Sequence, residues 1–363
     1  MWQGREIILC TLALLAGNLL GDALTLPPAV YLVLTFVSAF VALRRPRWPL
    51  LLLCFVLLGA AAVQAGRMPP PHGPTALSEW AAARQAAFSA WLGRLLPDSE
   101  ELAVFRALAV GDRSALTRDL RAAYRDSGAM HLLALSGLHV GLLYALLARL
   151  LSPLGGGRPA RLLRSGLILG LLWIYAVITG LSASISRAVL MITIYEVSGH
   201  LSGDRDGLSA LFSSAFLLIL ADPEVPRDIG FQLSYTAVLS ILLFHPWLSR
   251  RLQTRSRLLT RVWELLSVSL CCQATCGVLA WLYFGTLPRY FLLTTLLAIP
   301  LTTAIMYTIA AAVGSAGLTS LAAHLLSADW LLSALSTLSD MTTDLLHWLL
   351  HLLNTLIRLI ASL

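Results

Sequence analysis

The stretch from Gly128 to Leu143, GAMHLLALSGLHVGLL, places three side chains capable of hydrogen bonding in an otherwise apolar run. His131, Ser136 and His139 fall within nine positions of one another. Ionisable groups at bilayer depth are costly and normally face a bundle interior or a wet cavity. The stretch therefore predicts a membrane helix with one polar side, although histidines that only bond to neighbouring carbonyls would give the same pattern.

The spacing within this stretch predicts how the helix is used. Ser136 and His139 are three residues apart and should share a helix face. Gly137 and Gly141 form a Gly-x-x-x-Gly pair, a spacing that lets a second helix backbone approach closely in a membrane. We therefore expect a packing side at the glycines and a polar side at the serine and the histidine.

A second candidate contact lies in TGLSASISRAVLM, residues 179–191, where Ser184 and Ser186 flank Arg187. An arginine here could attract a phosphodiester backbone, because phosphate contacts supply much of a protein's affinity for nucleic acid. The alternative is a structural arginine that pairs with a buried carboxylate or extends to the lipid headgroups. The residue types leave both open.

The third candidate is DPEVPRDIGFQLSYTAVLSIL, residues 222–242. Asp228 is predicted to lie at the amino end of a helix, where negative charge is favourable. Gln232 and Tyr235 share a face of that helix and could line a path or hydrogen-bond across helices. Phe231 and Tyr235 are four residues apart and could stack on bases, although aromatic rings at this spacing more often simply pack.

The last apolar stretch carries a polar stripe with a four-three-four-three-four spacing, which places its members on one helix face. The stripe consists of Asp340, Asp344, His347, His351, Asn354 and Arg358. Its two aspartates and two histidines could bind a metal ion. The same stripe could equally line a lumen or face a partner subunit.

The elements that carry these residues are predicted to lie in a membrane. Of the 363 residues, 58% are hydrophobic and 12% are charged, and the mean hydropathy is +0.78. Long apolar runs separated by short polar ones indicate helices rather than strands. Every basic residue behind the net charge of +7 is an arginine. The absence of lysine excludes an ordinary P-loop ATPase site and Schiff-base chemistry.

The hydropathy pattern predicts an all-α polytopic bundle of about 11–12 transmembrane helices. It also predicts an interfacial amphipathic helix over about residues 80–95. The expected segments are 1–65, N-terminal transmembrane helices; 66–126, extracytoplasmic or interfacial; and 127–363, a channel-type membrane domain. Arginine clusters at 44–47, 158–164 and 250–261 indicate cytoplasmic loops and a cytoplasmic amino terminus. Beyond residue 129, spans are expected at roughly 130–151, 165–181, 185–200, 207–221, 229–247, 262–284, 290–313, 318–336 and 343–362.

These motifs resemble those of the ComEC/Rec2 family of competence membrane proteins. HLLALSGLHVGLL resembles the family's signature helix, and ALAVGDRSAL resembles the segment upstream of it. TGLSASISRAVLM and DPEVPRDIGFQLSY resemble two later motifs, and FGTLPRYFLLTTLLAIPL at 284–301 resembles the next helix. The likeness covers roughly residues 102–301. Ala183 stands where many members have proline, and Thr295 stands where they usually have asparagine.

The resemblance implies a channel that moves single-stranded DNA from the periplasm across the inner membrane to the cytoplasm during natural transformation. No enzyme activity and no cofactor are expected. The implied partners are an external DNA receptor or pilus and a cytoplasmic helicase or recombination protein, with the oligomeric state left open. The implied DNA path consists of His131, Ser136, His139, Ser184, Ser186, Arg187, Asp228, Gln232 and Tyr235.

Many family members also carry an OB-fold domain and a nuclease domain. In this sequence a short linker at 66–75 stands in the place of the OB-fold domain, and there is no His-x-His-x-Asp-His motif. We therefore expect the competence membrane domain alone. Two other classes stay open: a secondary transporter of a small solute, which would show internal repeats, and an intramembrane metal-dependent hydrolase that uses the C-terminal stripe.

Overall fold

The computed structural model describes residues 4–23, 27–44, 48–66, 75–201, 203, 205–252, 256–285, 290–325 and 329–363. Most of these residues are α-helical. In chain order the helices are α1 (Gly4–Ala23), α2 (Pro28–Arg44), α3 (Trp48–Gly66), α4 (Ala76–Leu92), α5 (Glu100–Val110), α6 (Arg118–Asp126), α7 (Met130–Leu133), α8 (Gly137–Leu150), α9 (Arg158–Ile178), α10 (Ala183–Leu201), α11 (Gly207–Ala221), α12 (Ile229–Ser249), α13 (Arg257–Cys272), α14 (Val278–Phe284), α15 (Phe291–Leu325) and α16 (Asp329–Ala361). A π-helical turn, Gln273–Gly277, joins α13 to α14.

The fold class is confirmed as all-α, with helices suited to a membrane. In the described part of the chain, five helices are long and apolar enough to cross a bilayer: Arg158–Ile178, Ile229–Ser249, Arg257–Phe284, Phe291–Ala323 and Trp330–Ala361. Shorter apolar helices are Glu6–Gly21, Val30–Ala39, Pro49–Gln64, Gly137–Leu150 and Gly207–Ala221. Helix length alone therefore supports fewer full spans than the 11–12 expected from hydropathy.

The predicted span boundaries are wrong at the carboxyl end. Helices were expected at 290–313, 318–336 and 343–362, but α15 continues to Leu325 and α16 already begins at Asp329. Pro300, Gly314 and Gly317 all lie inside α15. Membrane helices accommodate proline and glycine more readily than soluble helices do, so these residues did not mark the turn.

The described helices form two compact units. The first unit comprises Met1–Pro74, Leu190–Arg250 and Cys271–Leu279, and the second comprises Thr75–Val189, Arg251–Leu270 and Ala280–Leu363. Both units are discontinuous in sequence because helices from distant parts of the chain share a core. The three consecutive segments expected, 1–65, 66–126 and 127–363, stay a prediction about location relative to the membrane.

The first unit contains a close contact between α1 and α3. A Cβ added at Gly17 would overlap the carbonyl oxygen of Val56, and one added at Gly59 would overlap that of Leu14. At Gly21 the added atom would meet the backbone of Ala60. Gly17 and Gly21 are therefore a Gly-x-x-x-Gly pair whose lack of side chains permits the helices to touch. No prediction from the sequence had singled out this pair.

The second unit is built around α5. Eight of its eleven residues are buried, and Ser99 caps its amino end while Gly111, with a φ of 78°, ends it. The surrounding core includes residues of α6, α7, α15 and α16. α5 is central to this unit because most of its residues are apolar. The extracytoplasmic or interfacial location expected for residues 66–126 stays a prediction.

A helix is present close to the predicted range as α4, capped by Thr75. Its aromatic residues Trp80, Phe88 and Trp91 line an apolar groove of about 590 Å³, together with Trp173 and Ile174 of α9. Rings of Phe88 and Trp91 stack at a centroid distance of 5.3 Å. The position of α4 at a membrane interface stays a prediction.

Candidate functional site

The predicted continuous helix over 130–151 is wrong, because the chain breaks between Leu133 and Gly137. The short helix α7 ends at Leu133, Ala134 adopts extended backbone angles (φ −82°, ψ 125°), and α8 begins only at Gly137. Ser136 is also extended, with φ −128° and ψ 166°, and is the N-cap of α8. The serine therefore lies before the helix instead of on its face.

Ser136 and His139 nevertheless meet, as their spacing predicted, but through a capping box. The backbone N–H of Ser136 donates to Nδ1 of His139 at 3.3 Å, and its Oγ lies 3.0 Å from the same nitrogen. Because Nδ1 accepts a hydrogen bond, the neutral ring is assigned as the tautomer that carries its proton on Nε2. In a capping box, the third residue of the helix is usually glutamate or glutamine. Here that residue is His139.

The other side of this imidazole is buried and unsatisfied. His139 is 1% exposed, and its Nε2 has no hydrogen-bond partner among the described residues. A buried donor without an acceptor costs about 1–3 kcal/mol. An imidazole that retains this cost presents a fixed N–H donor at the break in the helix.

His131 lies on the exposed side of the broken segment. Its Nδ1 donates to the carbonyl oxygen of Gly128 at 3.0 Å, and its ring centroid is 5.8 Å from that of Phe291. The bond to Gly128 is the neighbouring-carbonyl contact that the sequence left open as the structural alternative. Nε2, on the opposite side of the ring, is not engaged by that bond.

The loop that follows α5, to which the sequence analysis assigned no role, contacts the residues at the break between α7 and α8. Nε of Arg113 donates at 3.0 Å to the carbonyl oxygen of Leu133, the last residue of α7. This bond satisfies a carbonyl that the interrupted helix leaves without an internal partner. Leu135 lies against Gly111, where an added Cβ would come within 2.7 Å of its Cδ1. Only the resemblance of ALAVGDRSAL could have drawn attention to this loop.

Asp112 organises the same loop. Its Oδ1 accepts hydrogen bonds from the backbone N–H of Ser114 at 3.0 Å and from that residue's Oγ at 2.6 Å, and its Oδ2 accepts from Oγ of Ser89 at 2.5 Å. Burial raises the pKa of Asp112, but these hydrogen bonds and the charge of Arg106 outweigh burial and lower it below the ordinary aspartate value. The loop therefore holds a carboxylate whose oxygens are already used.

The turn before α10 is fixed by a residue from α4. Gly180 and Leu181 both have left-handed backbone angles, with φ of 71° and 51°. A Cβ at Gly180 would lie 2.6 Å from Oε1 of Gln85, whose Nε2 donates to the carbonyl oxygen of Val110 at 2.7 Å. Gln85 thus lies between the end of α5 and the turn that precedes Arg187. No sequence motif singled it out.

Arg187 lies in the first turns of α10 and is buried, with 6% of its surface exposed. Ser184 and Ser186, which flank it, are half-buried. A Cβ at Gly137 would lie 3.7 Å from Cβ of Ala188, so the start of α8 touches α10 one residue from Arg187. The second unit therefore brings the capping box and the arginine motif into the same neighbourhood.

The two predicted packing glycines behave differently. The contact of Gly137 with Ala188 agrees with close packing, whereas a Cβ at Gly141 would meet no described atom within 4 Å. Gly141 therefore makes no close contact with another described element, and its packing role stays a prediction. Gly137 stands at the first turn of a new helix, so the two glycines do not extend one continuous contact surface.

The predicted path residues of the first unit hold their own unit together. Oδ1 of Asp228 accepts from the backbone N–H of Phe231 at 2.6 Å, which confirms its position at the helix start. Nε2 of Gln232 donates to the carbonyl oxygen of Pro226 at 2.9 Å, and the Tyr235 hydroxyl is 2.9 Å from Oγ of Ser214. Rings of Phe231 and Tyr235 stack on each other at 4.2 Å. These contacts favour packing over base stacking.

The C-terminal stripe contacts the second unit's own helices. Nδ1 of His351 lies 3.0 Å from Oε1 of Glu101, Arg358 pairs with Glu100, and the Tyr124 hydroxyl donates to Oδ1 of Asn354 at 3.0 Å. Asp340 and Asp344 are exposed, and His347 is half-buried. Where the structure describes the chain, no three His, Cys, Asp or Glu side chains could together hold a metal ion. The stripe's weak metal candidates, Asp340, Asp344, His347 and His351, therefore gain no support.

Fold and site together define a polytopic helical membrane protein with an interrupted apolar segment that carries polar side chains. The chain belongs to the Competence protein family, whose model matches residues 108–362.

Two curated relatives agree with this family. "ComE operon protein 3" of Bacillus subtilis (strain 168) is 36% identical over 149 residues, which are 41% of this chain and 19% of the relative. "Competence protein ComA" of Neisseria gonorrhoeae is 31% identical over 150 residues, 40% of this chain and 21% of the relative. The chain thus matches only about a fifth of the length of either relative. No solved structure matches it.

Proposed function

We propose that this protein conducts single-stranded DNA across the cytoplasmic membrane during natural transformation. The DNA would pass the broken segment of the second unit, where it meets His131, Ser136, His139 and Arg187. Membership of the Competence family supports a role in DNA handling. The observation that carries the proposal is the buried Nε2–H donor of His139 at an interruption between two helices.

Interrupted helices have a known use in membranes. Irregular backbone at membrane depth is tolerated where it is buried in protein or lines a water-filled cavity. In transporters, such interruptions place helix ends and freed backbone groups against a charged substrate. The Ser136–His139 cap lies at the amino end of α8, where the helix dipole also favours an anion such as a phosphate.

The chemistry that passes DNA would consist of contacts only. The imidazole N–H groups and the serine hydroxyls, including Ser184 and Ser186, can donate to phosphate oxygens or base carbonyls, and Arg187 supplies positive charge. Because phosphate contacts are independent of sequence, this arrangement suits a conduit for any DNA. Gln232, Tyr235 and Asp228 are not part of the proposed path, because their contacts hold the first unit together.

Energy and partners would come from other proteins. The sequence has no lysine for a Walker A site, so DNA movement would be driven by a helicase or recombination protein on the cytoplasmic side. An external DNA receptor or pilus would deliver the strand. The arginine-rich loops favour a cytoplasmic amino terminus.

A secondary transporter of a small solute is the second candidate function. The same observation, a broken apolar segment with polar groups, is typical of such transporters. A solute transporter would leave DNA import unaffected when the broken segment is altered. Substitutions in the broken segment therefore separate the two functions.

The test uses two substitutions of His139 that separate its role as a helix cap from its role as a hydrogen-bond donor. In His139→Gln the amide can still cap the helix, since glutamine is a usual capping-box residue, but the imidazole donor is lost. His139→Ala loses both. We expect both variants to accumulate DNA in the periplasm normally and to import it into the cytoplasm at about one tenth of the wild-type rate or less, the scale of one hydrogen bond to a charged group.

The readouts are labelled DNA in the periplasm and transformants, measured on cells with equal amounts of folded membrane protein. Wild-type import in His139→Gln would show that the histidine only caps the helix and would contradict the proposal. Normal import after deletion of the whole gene would reject any channel role.

A further inference from the structure

The charges of α6 are sorted onto different sides of the helix. Leu120 and Tyr124 are buried, Ala122 and Ala123 are half-buried, and the other five residues of the helix are charged. Arg118, Arg121 and Arg125 are spaced by three and four residues and so share one side. Asp119 and Asp126 are seven apart and share another. Basic and acidic residues are therefore nearly balanced in number in this segment, but the helix places the arginines together on one side.

This basic side is continuous with the broken segment. Nη2 of Arg121 donates to the carbonyl oxygen of Arg113 at 2.5 Å, and Nε of Arg113 donates to that of Leu133 at 3.0 Å. Arg113, Arg118, Arg121 and Arg125 are all exposed. We call these four residues the arginine strip. It begins on α6 and ends at the last residue of α7, where the helix is interrupted.

The part of the chain that carries the arginine strip exposes no large apolar side chain to insert among lipids. Among the large hydrophobic side chains that are exposed in the described residues, none lies between residues 81 and 129. A helix that lies on a bilayer needs an apolar face to insert among the acyl chains. The apolar residues of α6 are instead used inside the second unit.

The nearby carboxylates do not neutralise the arginine strip. Asp112 is occupied by Ser89 and Ser114. Asp126 pairs with Arg125 at 3.1 Å, but both side chains are more than half exposed, at 55% and 72%. An ion pair this exposed contributes little and exchanges readily for another anion.

We propose that the arginine strip is a docking surface for the phosphate backbone of single-stranded DNA, from which the strand passes to the broken segment. This inference rests on the proposed function and adds its loading site. Charge complementarity selects a polyanion, and guanidinium groups bind phosphate oxygens in a bidentate way. The spacing along one helix side suits an extended backbone that presents successive phosphates.

The test compares two triple substitutions of equal charge. The strip variant is Arg118→Gln, Arg121→Gln and Arg125→Gln. The control is Arg158→Gln, Arg161→Gln and Arg164→Gln at the start of α9. Full-length protein in phosphatidylcholine nanodiscs is titrated with a fluorescein-labelled oligothymidylate at several salt concentrations, after thermal melts confirm that both variants fold like the wild type.

We expect the strip variant to bind about tenfold more weakly at low salt, with the slope of log Kd against log salt flatter by about 2, since each contact to a single strand contributes roughly 0.7. The control should stay within about twofold of the wild type. Equal affinity and slope in the two variants would overturn the inference.

Three further outcomes separate DNA docking on the arginine strip from lipid binding and from passage through the broken segment. If the strip variant binds the oligothymidylate normally but recruits less phosphatidylglycerol in mixed nanodiscs, the surface binds lipid headgroups and the inference is wrong. If the strip variant loses DNA binding while His139→Gln imports DNA normally, the docking surface stands and the proposed path fails. If the strip variant binds like the wild type while His139→Gln blocks import, the docking surface fails and the path stands.

Discussion

The 128–143 segment of the second unit and the 222–242 segment of the first unit both place polar side chains among apolar residues. In the 222–242 segment, Asp228 caps α12, Gln232 bonds to Pro226, and Tyr235 meets Ser214. In the 128–143 segment, the helix is interrupted, and the ring of His139 caps α8 with one nitrogen while the other stays buried without a partner among the described residues. The three predicted path residues of the 222–242 segment each have a hydrogen-bond partner, whereas His139 retains a buried donor.

The difference lies in the chemistry of the capping residue. An aspartate caps with an oxygen and presents nothing rigid on the far side. A histidine caps with Nδ1 and holds Nε2 about one ring width away, in a fixed direction. A capped helix start therefore indicates a structural role at Asp228 and a functional candidate at His139.

The largest effect is expected from substitution of Arg187, and its result would sharpen the comparison between the two segments. Arg187→Ala should lower cytoplasmic import about tenfold or more while periplasmic uptake is unchanged, because a charged contact to phosphate is worth about 1.5–3 kcal/mol. Arg187→Lys should restore part of the import, since lysine keeps the charge but not the bidentate geometry. Arg161→Ala, an exposed arginine at the start of α9, is the control. Unchanged import in Arg187→Ala would remove this residue from the path.

The glycine pairs provide a second comparison between the units. Gly17→Ala should destabilise the protein by about 1–3 kcal/mol or more, because its Cβ would overlap the Val56 carbonyl oxygen and force α1 and α3 apart. Gly141→Ala should be neutral or stabilising by up to about 1 kcal/mol, since alanine favours a helix and no described atom lies in the way. Thermal melts in one detergent measure both. Equal losses in the two variants would refute the assignment.

Tyr235 tests whether the first unit's motif is structural. Tyr235→Phe should lower the free energy of unfolding by about 1 kcal/mol, because Oγ of Ser214 loses a partner, and should leave DNA import unchanged. A double-mutant cycle with Ser214→Ala isolates the energy of this pair. A loss of import without a loss of stability would break the comparison and return Tyr235 to the path.

The smallest effect concerns pH and the C-terminal stripe. Burial raises the pKa of Glu101, but hydrogen bonds from His351 and Ser99, with the charge of His347, outweigh burial and lower it below the ordinary glutamate value. A lowered pKa adds stability that is present above the unfolded value of about 4.3 and is lost as the pH falls through the folded value. Glu101→Gln should therefore flatten the fall in melting temperature between about pH 5 and pH 3. An unaltered acid dependence would show that this contact does not stabilise the folded state.

The sequence predicted which residues of the site interact, but not the backbone geometry that brings them together. The pairing of Ser136 with His139 followed from their spacing, and the capping role of Asp228 followed from the turn before it. The break before Gly137 did not follow, because the hydropathy of HLLALSGLHVGLL is continuous across it. Gln85 and Arg113 were missed because their partners, Val110 and Leu133, are backbone carbonyls, which leave no mark in a sequence pattern.

The sequence by itself determined that this is an all-α membrane protein of the competence type, because hydropathy, caps and motifs are properties of short stretches. Only the tertiary structure decided that Gly17 closely contacts a second helix whereas Gly141 has no described atom so near it, and that the stripe at His351 and Arg358 faces Glu101 and Glu100. These stripe residues are separated from their partners by about 250 residues in the chain. Contacts over such distances depend on which helices share a core, and no local pattern encodes that choice.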